Sequence, residues 1–169
     1  MSFKTNKFSK KIKNNMSQAS EIKELLEKKH LTIGSVESFT GGKFASEITS
    51  IPGASNVFKG SLVTYWNEIK ENVLGINPNI INKYGACSEE VGYQMADKGR
   101  KILNVDICVS FTGNAGPLPM ENKSVGEVFI GVAFRDSIEV FKYNLEGNRS
   151  EIQAKAIDLA LDTVKKKIS

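Results

Sequence analysis

The amino-acid sequence predicts a single domain with a three-layer α/β fold around a mixed central sheet. Segments with strand character alternate with amphipathic segments of helical period along most of the chain, which is typical of α/β proteins. Residues 105–111 are apolar almost throughout, as expected of a central strand that is covered on both faces. The length of 169 residues is sufficient for one hydrophobic core, whereas two domains would each be small.

The first half of the chain contains three predicted helices and two predicted strands. Apolar residues recur at helical spacing over residues 18–29, and residues 31–36 (LTIGSV) follow as a short buried strand. A glycine-rich turn then opens a second helix. β-branched and aromatic residues over 57–65 indicate another strand, and a short helix is predicted at 67–74.

The second half of the chain begins with an asparagine-proline-asparagine turn at 77–79, which is followed by one further helical turn. Ser88 is predicted to cap a long helix, because acidic residues follow it in the first turn and an apolar stripe continues from there. The residues assigned to this stripe are Val91, Met95, Ile102 and Leu103.

A strand, a hairpin and a helix complete the predicted fold. The strand at 105–111 leads into a polar loop that extends to about residue 124. Segments 125–134 and 137–145 flank a polar pair of residues, which indicates an antiparallel hairpin. A final helix is predicted over 150–167, where apolar residues recur at helical spacing.

The net charge of +4 at neutral pH comes from the first 16 residues. This segment contains five lysines and no acidic residue, and subtracting it leaves 18 basic and 19 acidic residues, a net charge of −1. We therefore expect residues 1–16 to be a basic, poorly ordered tail and residues 17–169 to form the domain. Weak contact of the tail with nucleic acid is an alternative, whereas the near-neutral domain is not expected to bind nucleic acid.

Several functional classes are disfavoured by the composition. No segment approaches the roughly 20 apolar residues that span a bilayer, and no secretory signal is recognised, so we expect a cytoplasmic protein without membrane contact. Cys87 and Cys108 form no CxxC pair and are interpreted as buried free thiols. His30 is the only histidine, which argues against an imidazole base and against a zinc site.

Two glycine-rich segments follow predicted strands, ESFTGG at 37–42 and TGNAGP at 112–117. Ligands of open α/β sheets bind beyond the carboxyl ends of the strands, so both segments are expected at one edge of the sheet and near the site. The turn at Gly41 and Gly42 opens a helix, and its backbone N–H groups could hold a phosphate or an oxyanion. The two glycines could equally serve only to permit a tight turn.

Ser38 lies at this strand-to-helix turn, where a nucleophile elbow would expose its hydroxyl beside backbone amides. Because His30 lies at the opposite end of the preceding strand, a lysine is the expected base. Lys70 begins a helix after a strand, and Tyr65 lies five residues before it and could relay or orient a proton. A solvated lysine is the alternative for Lys70, and spacing alone favours that alternative.

Three further charged residues lie near the glycine-rich turn or at a helix start. Arg149 precedes the final helix, where a guanidinium can hold a phosphate with two hydrogen bonds, and a plain surface position fits the spacing equally well. Lys43 could contact an anion but is expected to face solvent. Glu37 is expected to hold backbone amides rather than to take part in catalysis.

Five motifs in order resemble the CinA C-terminal domain family. They are VESFTGGKFASEITSIPGASNVFKGSLVTYWNEIKENVLGI at 36–76, YGACSEEV at 84–91, SFTGNAGP at 110–117, KSVGEVFIGVA at 123–133 and EGNR at 146–149. The resemblance covers roughly residues 18–167. The family includes enzymes that convert nicotinamide mononucleotide to nicotinate mononucleotide and ammonia.

The resemblance implies an amidohydrolase of pyridine nucleotide salvage that deamidates nicotinamide mononucleotide and requires no metal or organic cofactor. It implies a serine nucleophile, a lysine base and a catalytic tyrosine at Ser38, Lys70 and Tyr65. The residues expected to bind substrate are Gly41, Gly42, Thr112, Gly113 and Arg149. The expected partner is a small-molecule nucleotide, and a homodimer is a general expectation for a small cytoplasmic enzyme.

The chain departs from the family pattern beside several of these positions. Phe39 replaces the usual cysteine after the serine, Trp66 replaces a small residue after the tyrosine, and Ile69 replaces the alanine before the lysine. Asn114 stands where the family has an apolar residue, and Ser124 where it has a proline. The alternative interpretation is therefore a catalytically altered member that binds a nucleotide or acts as a competence- or DNA-damage-associated interaction protein.

Overall fold

The computed structural model describes residues 16–169, so the predicted basic tail lies almost entirely outside the described residues. A sheet of five strands forms the centre of the domain. The strands are β1 (Ile33–Glu37), β2 (Phe58–Val63), β3 (Ile107–Gly113), β4 (Glu127–Phe134) and β5 (Ser137–Asn144). The helices are α1 (Gln18–Lys28), α2 (Lys43–Thr49), α3 (Asn67–Asn72), α4 (Pro78–Tyr84), α5 (Glu89–Leu103) and α6 (Arg149–Ile168).

The sheet is mixed, and its spatial order is β2-β1-β3-β4-β5. β1 pairs in parallel with both β2 and β3. β4 then pairs antiparallel with β3, and β5 antiparallel with β4 through the predicted hairpin. The sheet thus has a parallel half built from crossover connections and an antiparallel half built from a hairpin.

Helices cover both faces of the sheet. α1, α2 and α6 pack on one face against alternate residues of β3, including Ile107 and Phe111. α4 and α5 pack on the other face, against Val36 and Cys108. Because alternate side chains of β1 and β3 enter opposite cores, both strands are buried along their whole length. The predicted three-layer α/β architecture is confirmed.

Three local details differ from the prediction. Residues 78–84 form a complete two-turn helix, which Asn77 caps by accepting a hydrogen bond from the amide of Asn79. Ile102, which the sequence placed on the apolar stripe of α5, is 49% exposed. The buried face of α5 instead includes small residues such as Gly99, where a Cβ atom would lie 2.2 Å from Val36. Such residues let the helix approach the sheet closely, and a count of large apolar residues misses them.

Other predicted features are placed as expected. Ser88 caps α5 through a 3.3 Å hydrogen bond from the amide of Val91, and Cys87 and Cys108 are buried free thiols. His30 is exposed. None of the helices within the described residues is long and apolar enough to cross a membrane.

Three adjacent parallel strands bring the predicted site residues together. Glu37, at the end of β1, lies opposite Phe111 of β3 and Val63 of β2. The two glycine-rich segments therefore leave the sheet at the same edge, as predicted from the sequence. The segment after β2 turns at this edge into α3, which carries Lys70.

Candidate active site

Ser38 occupies the turn directly after β1. Its backbone amide still belongs to the sheet, because it donates a 2.9 Å hydrogen bond to the carbonyl of Phe111. The residue is 9% exposed and lines a cavity at the sheet edge. The last sheet hydrogen bond therefore fixes the position of a hydroxyl that is accessible from only one side, as in a nucleophile elbow.

Glu37 holds the turn that carries Ser38. Its carboxylate is fully buried and accepts hydrogen bonds from the amides of Gly42 (3.0 Å), Phe44 (3.1 Å) and Ala45 (2.9 Å). These amides belong to the first turn of α2, where a helix leaves backbone donors without partners. The negative charge also opposes the positive end of the helix dipole. Glu37 thus has the structural role that the sequence predicted.

Lys70 is buried beside Ser38. The residue is only 1% exposed, which excludes the alternative of a solvated helix lysine. Its Nζ lies 3.1 Å from Ser38 Oγ, 2.8 Å from the carbonyl oxygen of Thr64 and 3.3 Å from that of Tyr65. Two carbonyls and one hydroxyl therefore surround the amine.

The pKa of Lys70 is lowered from 10.5 to about 8, because burial disfavours the charged amine. The negative charge of Glu121 acts in the opposite direction and raises this pKa. A neutral Lys70 can donate its two hydrogens to the carbonyls of Thr64 and Tyr65. Its lone pair is then left for the hydroxyl proton of Ser38, which is the arrangement that a general base requires.

Cys87 also lines the cavity, but its thiol is a poor competitor for the role of nucleophile. Burial raises the pKa of Cys87 to about 11, and the charge of Glu121 contributes in the same direction. The thiolate is the reactive form of cysteine, and this environment keeps the thiol protonated near neutral pH. Ser38, and not Cys87, is therefore the favoured nucleophile at the base of the cavity.

Tyr65 contacts Lys70 through its backbone carbonyl and contacts Arg149 through its side chain. Its carbonyl accepts the hydrogen bond from Lys70, whereas its hydroxyl accepts a 3.1 Å hydrogen bond from Nη2 of Arg149. The sequence predicted that the tyrosine hydroxyl would relay or orient a proton. In the structure this hydroxyl contacts the guanidinium of Arg149 on the wall of the cavity, and the relay of a proton stays a prediction.

Arg149 is the first residue of α6 and not, as predicted, a residue before it. Asn148 caps the helix, and its amide and side chain form a capping box with Glu151. The guanidinium of Arg149 donates to the carbonyl of Gly116 at 2.9 Å and to the hydroxyl of Tyr65. These two contacts aim the group into the cavity and leave other N–H donors of the guanidinium for an anion.

Thr112 and Gly113 lie at the end of β3 and line the same cavity. The hydroxyl of Thr112 donates a 2.6 Å hydrogen bond to the carbonyl of Ala86 and so joins β3 to the segment before α5. A Cβ atom at Gly113 would lie 2.6 Å from the Cα atom of Val128 on β4. Both residues thus shape the wall, and only a glycine fits at position 113.

Gly41 and Gly42 lie in the turn, but their amides are already engaged. The amide of Gly41 donates to the carbonyl of Ser38 at 3.1 Å, and that of Gly42 donates to Glu37. Gly42 has a φ of +96°, so its contribution is the left-handed backbone that the turn requires. The hydrogen bonds support the tight-turn alternative rather than the predicted role of these amides in holding an oxyanion.

Phe39 and Thr40 supply the amides that are available beside the nucleophile. Within residues 16–169, neither backbone N–H has an acceptor. Phe39 follows Ser38 directly and lines the cavity, which is where α/β enzymes with a nucleophile elbow place an oxyanion-hole donor. Sequence reasoning missed these two amides. It could not predict that the carboxylate of Glu37 would accept the hydrogen bond from the amide of Gly42 and leave the amides of Phe39 and Thr40 without an acceptor.

The cavity has a volume of about 420 Å³, which lies in the range of small-ligand sites. Its base is formed by Ser38 and Lys70, and one wall is the segment 114–121, of which the sequence analysis placed only residues 114–117 near the site. Asn114 organises this wall, because its amide group donates to the carbonyls of Leu118 and Lys123 and accepts from the amide of Gly116. In the sequence, only the position of Asn114 in the TGNAGP segment indicated that it lies near the site.

The other charged residues predicted near the turn do not enter the cavity. The ammonium of Lys43 donates a 2.6 Å hydrogen bond to Gln153 on α6, while the residue itself is exposed. The described part of the chain contains no group of three or more His, Cys, Asp or Glu side chains that could hold a metal ion.

Comparison with known proteins places this chain in a family. The sequence model of the CinA C-terminal domain matches residues 15–168. A relative from Bacillus cereus (strain AH187), named a competence-damage inducible protein, is 42% identical over 79% of this chain and 32% of its own length. One of the same name from Thermoanaerobacter sp. (strain X514) is 42% identical over 86% of this chain and 35% of its own length. The chain thus spans about a third of the length of the curated relatives it matches.

Solved structures show the same fold. The competence damage-inducible protein A of Klebsiella pneumoniae subsp. pneumoniae has a TM-score of 0.87 and 25% identity, over 89% of this chain and 94% of that chain. A competence/damage inducible protein of Agrobacterium tumefaciens has a TM-score of 0.82 and 26% identity, over 89% and 96% of the two chains. With the family match over residues 15–168, the conclusion is that this chain belongs to the CinA C-terminal domain family.

Proposed function

We propose that this chain is an amidohydrolase that converts nicotinamide mononucleotide to nicotinate mononucleotide and ammonia. The observation that carries the proposal is the 3.1 Å contact between Lys70 Nζ and Ser38 Oγ at the base of a cavity. The substrate follows from the resemblance to family members with this activity. The cavity volume of about 420 Å³ and the guanidinium on its wall are compatible with a mononucleotide.

Acylation begins with neutral Lys70. The amine takes the hydroxyl proton of Ser38, and Oγ attacks the carboxamide carbon of the substrate to form a tetrahedral intermediate. The amide of Phe39 holds the negative oxygen, and an oxyanion donor contributes about 3–4 kcal/mol in comparable sites. When the intermediate collapses, the C–N bond breaks, Lys70 returns the proton to the leaving nitrogen, and ammonia departs.

Deacylation repeats these steps with water. Neutral Lys70 takes a proton from a water molecule, which attacks the ester carbon that joins the substrate to Ser38. Collapse of the second intermediate breaks the bond to Oγ, and Lys70 returns the proton to the serine. The products are nicotinate mononucleotide and free enzyme, and the cycle consumes one water for each ammonia released.

Arg149 and Tyr65 bind the substrate in this proposal. Two guanidinium donors are held by Gly116 and Tyr65, and the remaining donors hold oxygens of the 5′-phosphate. The tyrosine hydroxyl is assigned to this wall because its contact in the structure is with Arg149. Thr112 and Gly113 form the wall beside the ribose.

The competing function is nucleotide binding or protein interaction without catalysis, in line with the competence-related names of the relatives. Two of the departures that motivate it do not crowd the base, because Trp66 and Ile69 are 69% and 40% exposed. Phe39 is buried, where its ring packs edge-on against Phe111 at 6.5 Å. The contact between Ser38 and Lys70 is retained beside all three, which favours catalysis.

Ammonia release from nicotinamide mononucleotide tests the proposal. The wild-type chain should release ammonia, Ser38→Ala should reduce the rate at least a thousandfold, and Ser46→Ala should leave it unchanged. Ser46 is a matched control because it is an exposed serine of α2 outside the cavity. An inactive wild-type chain, or equal activity of the wild type and Ser38→Ala, would overturn the proposal.

A further inference from the structure

Glu121 places a carboxylate in the cavity without a cationic partner. Its Oε2 accepts a 3.2 Å hydrogen bond from the amide of Cys87, and the residue lines the cavity. No lysine, arginine or histidine nitrogen within residues 16–169 lies within 4.0 Å of this carboxylate. A carboxylate that faces a ligand cavity with a single neutral donor can gain a favourable contact from a cationic ligand.

Besides Lys70, two charged residues line the cavity, namely Glu121 and Arg149. Glu121 is bound to Cys87 and its field reaches Lys70, whose pKa it raises. Arg149 is bound to Tyr65 and Gly116, and it forms no ion pair with Glu121. The cavity thus contains one negative and one positive group that do not form an ion pair with each other.

Three aromatic side chains line the same cavity, namely those of Phe39, Tyr65 and Trp66. Trp66 lies at the mouth of the cavity, where it is 69% exposed and does not pack into the hydrophobic core. The faces of aromatic rings attract cations, and tryptophan attracts them most strongly.

We propose that Glu121 and Trp66 make the cavity selective for a cationic heteroaromatic ring, so that the pyridinium form of the substrate is bound in preference to the neutral dihydropyridine form. The inference rests on the proposed function, because it concerns the ring whose carboxamide Ser38 attacks. A pyridinium nucleotide carries a positive ring and a negative phosphate. These two charges are opposite in sign to those of Glu121 and Arg149, which both line the cavity.

The neutral dihydropyridine nucleotide is the informative comparison. It has the same carboxamide, ribose and phosphate as the pyridinium nucleotide but lacks the positive charge on the ring. Contacts with the phosphate and the ribose therefore cancel when the two dissociation constants are divided. The ratio of the constants reports the contribution of the ring charge.

The test measures binding calorimetrically in a Ser38→Ala background, where turnover should be at least a thousandfold slower. The parent should bind oxidised nicotinamide mononucleotide about tenfold more tightly than the reduced nucleotide. Adding Glu121→Gln should reduce this ratio about three- to fivefold by weakening only the oxidised ligand. Glutamine retains an oxygen that can accept the hydrogen bond from Cys87, so an unchanged constant for the reduced nucleotide shows that the wall is intact.

Trp66→Leu and Glu47→Gln complete the design. The first retains apolar surface without a π face and should reduce the ratio about two- to threefold. The second removes an exposed carboxylate of α2 outside the cavity and should leave the ratio unchanged. A parent ratio near one, or a ratio that Glu121→Gln does not change, overturns the inference.

The outcomes separate the inference from the proposed function. Wild-type chain that releases ammonia from nicotinamide mononucleotide but shows no preference for the oxidised ring retains the function and contradicts the selectivity. A chain that neither releases ammonia nor binds either nucleotide contradicts both. A chain that binds the oxidised nucleotide selectively without releasing ammonia supports the selectivity and contradicts the amidase.

Discussion

The base of the cavity, formed by Ser38, Lys70 and the turn held by Glu37, is buried and rich in hydrogen bonds. The rim, which includes Trp66, Leu118 and Glu121, is exposed and makes few contacts with the rest of the domain. Most departures from the family pattern lie at the rim or on exposed surface. The comparison indicates that the base fixes the chemistry, whereas the rim adapts the cavity to a particular ligand.

Replacing the base residue Lys70 by arginine should give the largest effect. Arginine retains the positive charge but cannot lose its proton in a protein, so it cannot accept the proton of Ser38. We expect kcat/KM for ammonia release to fall about a thousandfold or more. Lys43→Arg, on an exposed lysine outside the cavity, is the control. Activity of Lys70→Arg within tenfold of wild type would show that the base of the cavity does not act through this amine.

The pH dependence of activity sharpens the same point. Because Lys70 must be neutral and its pKa is about 8, kcat/KM should rise about tenfold per pH unit below that value and level off above it. The free energy of unfolding should also rise with pH between about 8 and 10.5, since the unfolded chain binds more protons there. A rate profile that is flat from pH 6 to 9 would contradict the assignment.

Glu37→Gln tests whether the hydrogen bonds of the turn stabilise the domain. A glutamine has only one accepting oxygen and would direct its own N–H donors at the amides of α2. We expect the free energy of unfolding to fall by about 2–3 kcal/mol, measured by urea denaturation. Glu47→Gln, at an exposed position of the same helix, should change it by less than about 0.5 kcal/mol. Equal stability of the two variants would contradict the role of Glu37.

Arg149→Met should have the smallest effect on the chemical step. It removes the proposed phosphate contact but leaves Ser38 and Lys70 in place. KM for nicotinamide mononucleotide should rise about tenfold or more, while kcat changes little. Arg135→Met, at the exposed turn of the β4–β5 hairpin, should leave both constants unchanged. A large fall in kcat with unchanged KM would place Arg149 in the chemistry instead of in binding.

The base of the cavity was more predictable from sequence than the rim. Ser38 follows a strand and precedes a glycine-rich turn, and that order alone indicates a nucleophile elbow. Lys70 could not be distinguished from a solvated lysine by spacing, and the family resemblance supplied its role. The structure supports both placements, because strand order and pairing bring these positions together.

Other parts of the site depend on partners that spacing does not specify. The glycine-rich turn led to the prediction that the amides of Gly41 and Gly42 are free. In the structure the carboxylate of Glu37 accepts a hydrogen bond from the amide of Gly42, whereas the amides of Phe39 and Thr40 have no acceptor within residues 16–169. Glu121 lies in a loop without a periodic pattern, so no sequence signal placed it at the cavity. A loop residue joins a site through tertiary contacts, and these are absent from local sequence.

β2 is the outermost strand of the sheet, and it is bonded to β1 on one side only. Lys70 lies on α3, which directly follows this strand in the chain, whereas Ser38 directly follows the interior strand β1. Detachment of the sheet edge would therefore carry the amine away from the hydroxyl while β1, β3, β4 and β5 stayed folded. Edge elements open at lower free energy than the core. Loss of catalytic activity would then precede global unfolding, and the rate of ammonia release would act as a local sensor of how firmly the edge strand is attached.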